Sequence, residues 1–394
     1  MEIVVQKYGG TSVNKHELRE KIVKNAIDAK QRGLSPIIVV SAMGRRGEPY
    51  ATDSLLQLLP EPARSNQRNK DLLISCGEII SCVVVAEEIN LKDYYAVPLT
   101  GWQAGIKTNG IFGNSDIVDI DTTVIQGLLE KGIIPVVAGF QGLGEENEIT
   151  TLGRGGSDIT ATALGVFLNA VSVEIYTDVD GVMTADPKLV DSAHVIDKID
   201  YDEIFQLAEF GAKVLHPRAV EYAQKGNVPV TILNVEREGH GSGTLISKIN
   251  KSWDNDKVFT AITSKDKLVQ FLVKSGPGYE RVFDELAKNH ISIDMISIFI
   301  DESIFVVEQS EKARTEEVLK SIGLAYEVTE GCSKITIVGS RIANMPGIIA
   351  KIMSALNSAD VRVLRSTDSY TTVGLLINTE DEKKAVKILH ERIF

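Results

Sequence analysis

The stretch Gly153-Arg154-Gly155-Gly156-Ser157-Asp158 packs a fixed cation, a hydroxyl, a carboxylate and several glycines into adjacent positions. Thr160 to Leu164 then reads as helix, so the glycines stand where a loop enters a helix N-terminus. Such a terminus offers unpaired N–H groups and partial positive charge, which suits an anion. Arg154 can hold a carboxylate or phosphate through two parallel hydrogen bonds, and Ser157 can cap the helix. Asp158 is the odd member: it repels phosphate unless it holds a metal ion or orients a lysine. The plainer alternative is a glycine-rich turn with a capping serine.

Other stretches carry related chemistry. Lys7-Tyr8-Gly9-Gly10-Thr11-Ser12 follows a short β-rich run. The lysine precedes the glycines, so this is not a Walker A loop, yet backbone N–H groups can still cradle phosphate beside the Lys7 charge. The alternative is a plain strand-to-helix turn with a surface lysine. Ser41 opens the flexible stretch Ala42 to Gly47, and Thr52, Asp53 and Ser54 follow it. Glu78 lies beside Gly77 in a helical pattern and, taken alone, reads as a solvated helix residue. Thr177-Asp178-Val179-Asp180-Gly181 lacks the glutamate that a calcium loop needs at its twelfth place, which leaves a nucleotide-edge loop running on to Lys188. Lys213 stands near a turn, and His216 precedes Pro217 and reads as structural.

These residues need a scaffold. Ile3-Val4-Val5, Pro36 to Ser41, Ala96 to Leu99, Ile133 to Val137 and Val173 to Tyr176 are strand candidates. Helical patterns separate them, as at Leu72 to Ile89 and Thr122 to Lys131. That alternation predicts an α/β fold with a mostly parallel sheet covered on both faces. From Leu268 the rhythm becomes βαββαβ, and from Lys334 it repeats with the last strand missing. The strand Val258 to Ile262 is expected to fill that vacancy, which nests the first copy inside the second. The expected division is 1–245 for the first domain, 246–264 for a linker and the completing strand, 265–330 for one module and 331–394 for the other.

Composition sets outer bounds. The 394 residues are 43% hydrophobic and 24% charged, and the net charge is −12 with no basic block. Nucleic acid is therefore not an expected partner. No apolar run reaches the ~18 residues of a membrane span, and no signal peptide is visible at Met1 to Lys7. Cys76, Cys82 and Cys332 give neither a disulfide framework nor zinc-ligand spacing, so a cytoplasmic setting is expected.

In their order along the chain, Lys7 to Ser12, Ser75 to Glu78, Gly153 to Asp158, Thr177 to Gly181 and Lys213 to Pro217 resemble the signature set of the aspartate kinase (aspartokinase) family. The tail resembles its paired ACT modules, nested arrangement included, so the resemblance spans essentially the whole chain. It implies an amino-acid-kinase three-layer fold followed by two ferredoxin-like modules. It also implies transfer of the ATP γ-phosphoryl group to the side-chain carboxylate of L-aspartate, giving 4-phospho-L-aspartate, the entry to lysine, threonine, methionine and diaminopimelate synthesis.

The resemblance further implies site roles. Lys7 would stabilise charge on the moving phosphoryl group, and Asp158 would organise lysine and metal around it. Arg154 would hold the α-carboxylate of aspartate and Glu78 its amino group, with Thr52, Gly155, Gly156 and Ser157 as further substrate contacts. Tyr8, Gly9, Gly10, Ser41, Ser157, Thr177, Asp178, Met183, Asp186, Pro187, Lys188 and Lys213 would join Lys7 on the ATP side. Magnesium would arrive with ATP, with no metal site of the protein's own. Met183 departs from the tyrosine that family members often carry there. Other amino-acid kinases, such as acetylglutamate or carbamate kinase, lack this tail and this glycine-arginine setting. A non-catalytic amino-acid sensor is the alternative of a different class.

The tail carries its own expectation. Ser275-Gly276-Pro277-Gly278 and Asn344-Met345-Pro346-Gly347 each lead into a helix N-terminus that can take the α-carboxylate of a free amino acid. Asp294 is expected at the edge of the first turn, where it would meet an amino group. The expected effector is an end-product amino acid, lysine or diaminopimelate ahead of threonine, acting across a homodimer formed through the modules. The alternative is that the modules only dimerise.

Overall fold

The computed structural model describes residues 1–61, 66–212, 214–237, 243–249, 258–340, 342 and 345–394. They fall into two compact units. The first is drawn from Met1–Val182, Val195–Glu209 and Lys213–Lys251. Its strands are β1 (Glu2–Tyr8), β2 (Leu34–Val40), β3 (Ala96–Leu99), β4 (Ile106–Thr108), β5 (Ile117–Ile120), β6 (Ile134–Ala138), β7 (Gln141–Leu143), β8 (Ile149–Thr151), β9 (Ser172–Thr177), β10 (Lys198–Ile199), β11 (Val230–Asn234) and β12 (Gly243–Ile246).

The principal sheet runs β10-β12-β11-β9-β1-β2-β6-β3. Its pairings are parallel except that of β11 with β12. Val4, Val5 and Ile37 to Val40 are fully buried, as strands covered on both faces require. The chain leaves β1 for β2 on one side and reaches β9 on the other, so β1 marks the switch point at whose carboxyl end open sheets place ligands. A smaller sheet, β5-β4-β7-β8, carries the approach to Gly153. Its strands have three or four residues each, too short for periodicity to reveal.

The helices that serve the site are α1 (Gly10–Asn14), α2 (His16–Gln31), α3 (Thr52–Gln57), α4 (Gln67–Asn90), α5 (Thr123–Glu130), α6 (Gly156–Phe167), α7 (Tyr201–Glu209) and α8 (Pro217–Gly226). Ile22, Ala26, Cys82, Val85, Ala86 and Ile89 recur at helical spacing on α2 and α4 and share one core cluster with Tyr8, Ile38 and Val136. Among the described residues, no helix is long and apolar enough to cross a membrane.

The second unit is drawn from Met183–His194, Phe210–Ala212 and Ser252–Phe394. It holds β13 (Phe259–Lys274), α9 (Val282–Lys288), β14 (Asp294–Ile298), β15 (Glu302–Glu308), α10 (Lys312–Ser321), β16 (Tyr326–Gly339), α11 (Ile348–Ser358), β17 (Val363–Asp368), β18 (Thr372–Asn378) and α12 (Glu382–Ile393). The sheet order is β14-β15-β13-β16-β18-β17, antiparallel throughout. The two strands expected at Val258–Ile262 and Leu268–Val273 are halves of β13, joined by register shifts around Lys267, whose φ is 58°. Phe259 to Lys265 pairs with Lys334 to Gly339, and Leu268 to Val273 pairs with Tyr326 to Cys332. Each half thus completes a different four-stranded set, one under α9 and α10, the other under α11 and α12.

Candidate active site

Residues alternate across β1, so Lys7 faces away from Gln6 and Tyr8. Lys7 Nζ meets Asp158 Oδ1 of α6 at 2.6 Å, and both side chains are largely buried. Asp158 therefore orients a lysine, one of the two ways it can stand beside a phosphate. The entry to α6 differs from expectation in one respect. Gly155, not Ser157, is the N-cap, and no side chain caps the helix. Gly155 has φ 69°, and a Cβ there would stand 2.3 Å from His216 Cβ. His216 in turn caps α8, its Nδ1 accepting from Arg218 N at 3.3 Å ahead of Pro217. Burial first, then the Arg218 charge, lowers its pKa and keeps it neutral for that task.

A cleft of about 570 Å³ opens on this pair. Lys7, Gly10, Ser41, Thr52, Glu78, Arg154, Gly155, Gly156, Ser157 and Asp158 all line it, from five separate parts of the chain. Glu78 is 3% exposed and accepts from Ala42 N at 3.0 Å, while its Oε2 finds no partner among the described residues. Burial pushes its pKa up to about 8. It is thus not the solvated helix residue its neighbourhood suggests. Gly77 has a packing reason: a Cβ there would meet Ala42 Cβ at 2.7 Å and Tyr50 O at 2.9 Å. That close approach brings Ala42 N to Glu78. Arg154 is exposed, and among the described residues its guanidinium has no ion-pair partner.

Other expected residues fall elsewhere. Tyr8 is 0% exposed and stacks on Tyr176 with ring centroids 4.6 Å apart, and its carbonyl accepts from Ser41 N. Its side chain cannot reach a nucleotide, a correction that follows from the strand's alternation. Gly9 caps α1 at the end of β1. Thr177 ends β9, and Asp178, just after it, pairs with Arg45 at 2.7 Å. Met183, Asp186, Pro187 and Lys188 belong to the second unit, the last three exposed on a turn. Lys213 and Asn344 lie outside the described residues. Sequence reasoning missed Asp71, Phe140 and Lys70, which also line the cleft.

In the second unit, Gly278, at φ 94°, starts a 3-10 turn, Tyr279–Arg281, before α9. Met345 and Pro346 precede Gly347, the N-cap of α11. Asp294 is not beside the first turn. It stands opposite Val306, which stands opposite Gln270, whereas the turn follows Lys274. Four residues of strand, roughly 13 Å, separate the two levels. The reason is direction: β14 runs parallel to β13 through β15, so it starts at the far end. Asp294 instead accepts from the buried Lys334 Nζ at 2.7 and 2.9 Å.

The amino acid kinase family profile matches residues 2–234, and an ACT domain profile matches residues 327–391. Aspartokinase 1 of Bacillus subtilis (strain 168) is 39% identical over 400 residues, covering 99% of this chain and 98% of that protein. The chain belongs to the aspartokinase family. Its fold agrees with that of E. coli aspartokinase III in complex with aspartate and ADP (R-state), with a TM-score of 0.82 at 24% identity over the whole of both chains. The same aspartokinase in complex with lysine and aspartate (T-state) gives a TM-score of 0.76 at 25% identity, again over both full chains. The expected amino-acid-kinase fold and ACT tail are thus those of a known family.

Proposed function

We propose that this chain is an ATP-dependent aspartate kinase, transferring the γ-phosphoryl group to the side-chain carboxylate of L-aspartate and so opening lysine, threonine, methionine and diaminopimelate synthesis. The observation that carries the reading is the union, in one cleft, of the Lys7–Asp158 pair with Glu78 Oε2 and the Arg154 guanidinium, neither of which has a partner among the described residues. Phosphoryl transfer needs mainly positioning and charge stabilisation. Lys7 neutralises charge on the moving phosphoryl oxygens, and Asp158 keeps its ammonium in place. Arg154 forks the α-carboxylate, and Glu78 takes the ammonium group of the substrate. Thr52 and Ser157 complete that end; Gly9, Gly10, Ser41, Thr177, Asp178 and Lys213 serve the nucleotide.

Magnesium comes with the nucleotide and shields its phosphate charge. The tail, divided at about residues 265 and 331, binds an end-product amino acid, lysine or diaminopimelate, at its glycine-proline turns. That the T-state E. coli relative is in complex with lysine supports this reading. The protein works as a homodimer in the cytoplasm. Support for pairing comes from β14, an edge strand where Ile298 is 62% exposed and the following Phe299 and Ile300 are 54% and 94% exposed. Hydroxylamine trapping of the acyl phosphate, with ATP and a panel of amino acids, tests the activity. Aspartyl hydroxamate is expected, and its absence beside turnover of another acid overturns the reading.

A further inference from the structure

Asp71 sits seven positions before Glu78 on α4, which places both carboxylates on one face of the helix. It is 1% exposed and lines the cleft. Its Oδ2 accepts from Gly113 N and from Thr151 N, each at 2.8 Å. Thr151 ends β8, and Arg154 follows three residues later. The Gly113 carbonyl and Asn114 Oδ1 lie only 3.1 and 2.7 Å from where a Cβ on Gly153 would stand, so that loop backs the turn directly. Arg218 fastens the outer side, donating to Leu152 O and Asp116 Oδ1 at 2.7 Å and to Asn114 Oδ1 at 3.1 Å. One carboxylate oxygen thus joins the helix of Glu78, the loop at 113–116 and the strand that delivers Arg154.

We propose that Asp71 is a positioning residue that sets the spacing between Glu78 and Arg154, and so the fit of the amino acid between them. The proposal rests on the reading of those two residues as the aspartate grip. A buried carboxylate lining a phosphoryl-transfer cleft also invites a second assignment, as a base or as a charged ligand. The hydrogen bonds distinguish the two. Two backbone N–H groups require an acceptor oxygen, and a neutral amide oxygen serves as well as a carboxylate.

The test compares Asp71→Asn with Asp71→Ala in the full-length protein. Asparagine keeps an acceptor and loses the charge; alanine loses both. Loss of two buried hydrogen bonds should raise the aspartate KM of Asp71→Ala about tenfold or more, with ATP KM and kcat within about threefold of the parent. Asp71→Asn should restore the aspartate KM to within about threefold. A kcat collapse of about 100-fold or more in Asp71→Asn overturns the proposal in favour of a base or charged ligand. An unchanged aspartate KM in a folded Asp71→Ala overturns it in favour of a scaffold role alone. If Asp71→Ala does not fold, Asp71→Glu takes its place, since it keeps the acceptor but lengthens the arm to Gly113 N and Thr151 N: an aspartate KM raised about tenfold supports the proposal and an unchanged one overturns it. Absence of aspartate turnover in the parent overturns the grip reading itself, an outcome distinct from either variant's.

Discussion

Asp158 and Glu78 are carboxylates of one cleft in different surroundings. Asp158 lies against Lys7, whereas Glu78 is buried and accepts from Ala42 N. Burial holds the Glu78 pKa near 8, so below that pH the empty cleft favours its neutral form, while an ammonium ligand requires the charged one. Aspartate KM should therefore fall as pH rises toward 8, with a slope approaching tenfold per unit well below it, and Glu78→Gln should flatten the profile. A pH-independent KM in the parent contradicts this. Stability runs the other way: the folded state binds the extra proton, so Glu78 destabilises the empty protein as pH climbs from its unfolded value of 4.5 to about 8. Lys7→Ala and Asp158→Ala should each lower kcat by about 10²–10³-fold with thermal stability nearly kept, as for contacts made in the transition state. An unchanged kcat in both removes the pair from the chemistry.

At the scale of elements, the turn into α6 is held by Gly155 against His216. Gly155→Ala should cost about 1–3 kcal/mol in denaturant melts, since it combines a left-handed backbone with overpacking. A loss below about 0.5 kcal/mol would show that His216 yields freely. Much of this local architecture was legible. The helical recurrence of α4 and the glycine entry to α6 are strong signals, and the buried runs of β1, β2, β6 and β9 stand out from polar flanks. Asp71 was not legible, because its partners are backbone groups 42 and 80 residues away. Nor was the burial of Glu78, which depends on Ala42 and Tyr50 packing over Gly77. The polar interruptions at Asp266-Lys267 and Glu330-Gly331 look like strand ends, yet pairing continues across both.

At the scale of the whole molecule, the second unit takes in a piece of the catalytic region's sequence. Ala185 and Val190 join Ile335, Ile352, Leu356 and Leu389 in one core cluster. His390, on α12, bridges the same segment, with Nε2 2.9 Å from Thr184 Oγ1 and Nδ1 3.3 Å from Ser192 Oγ. The segment of Met183, Asp186 and Lys188 therefore folds with the ACT modules. If an amino acid bound by the modules changes nucleotide affinity, the nucleotide must change that amino acid's affinity by the same factor. Calorimetry on the intact protein should find lysine or diaminopimelate binding, and a nucleotide affinity that changes when that site is saturated. Absence of binding by lysine, diaminopimelate and threonine contradicts the sensor role.

The most direct test of the central claim is the product itself. With ATP, magnesium and L-aspartate, phosphorus NMR of the reaction should show an acyl phosphate on the side-chain carboxylate, formed one for one with ADP and absent when aspartate is omitted. Phosphoryl transfer to N-acetylglutamate but not to aspartate, or ADP release without any acyl phosphate, would contradict the account.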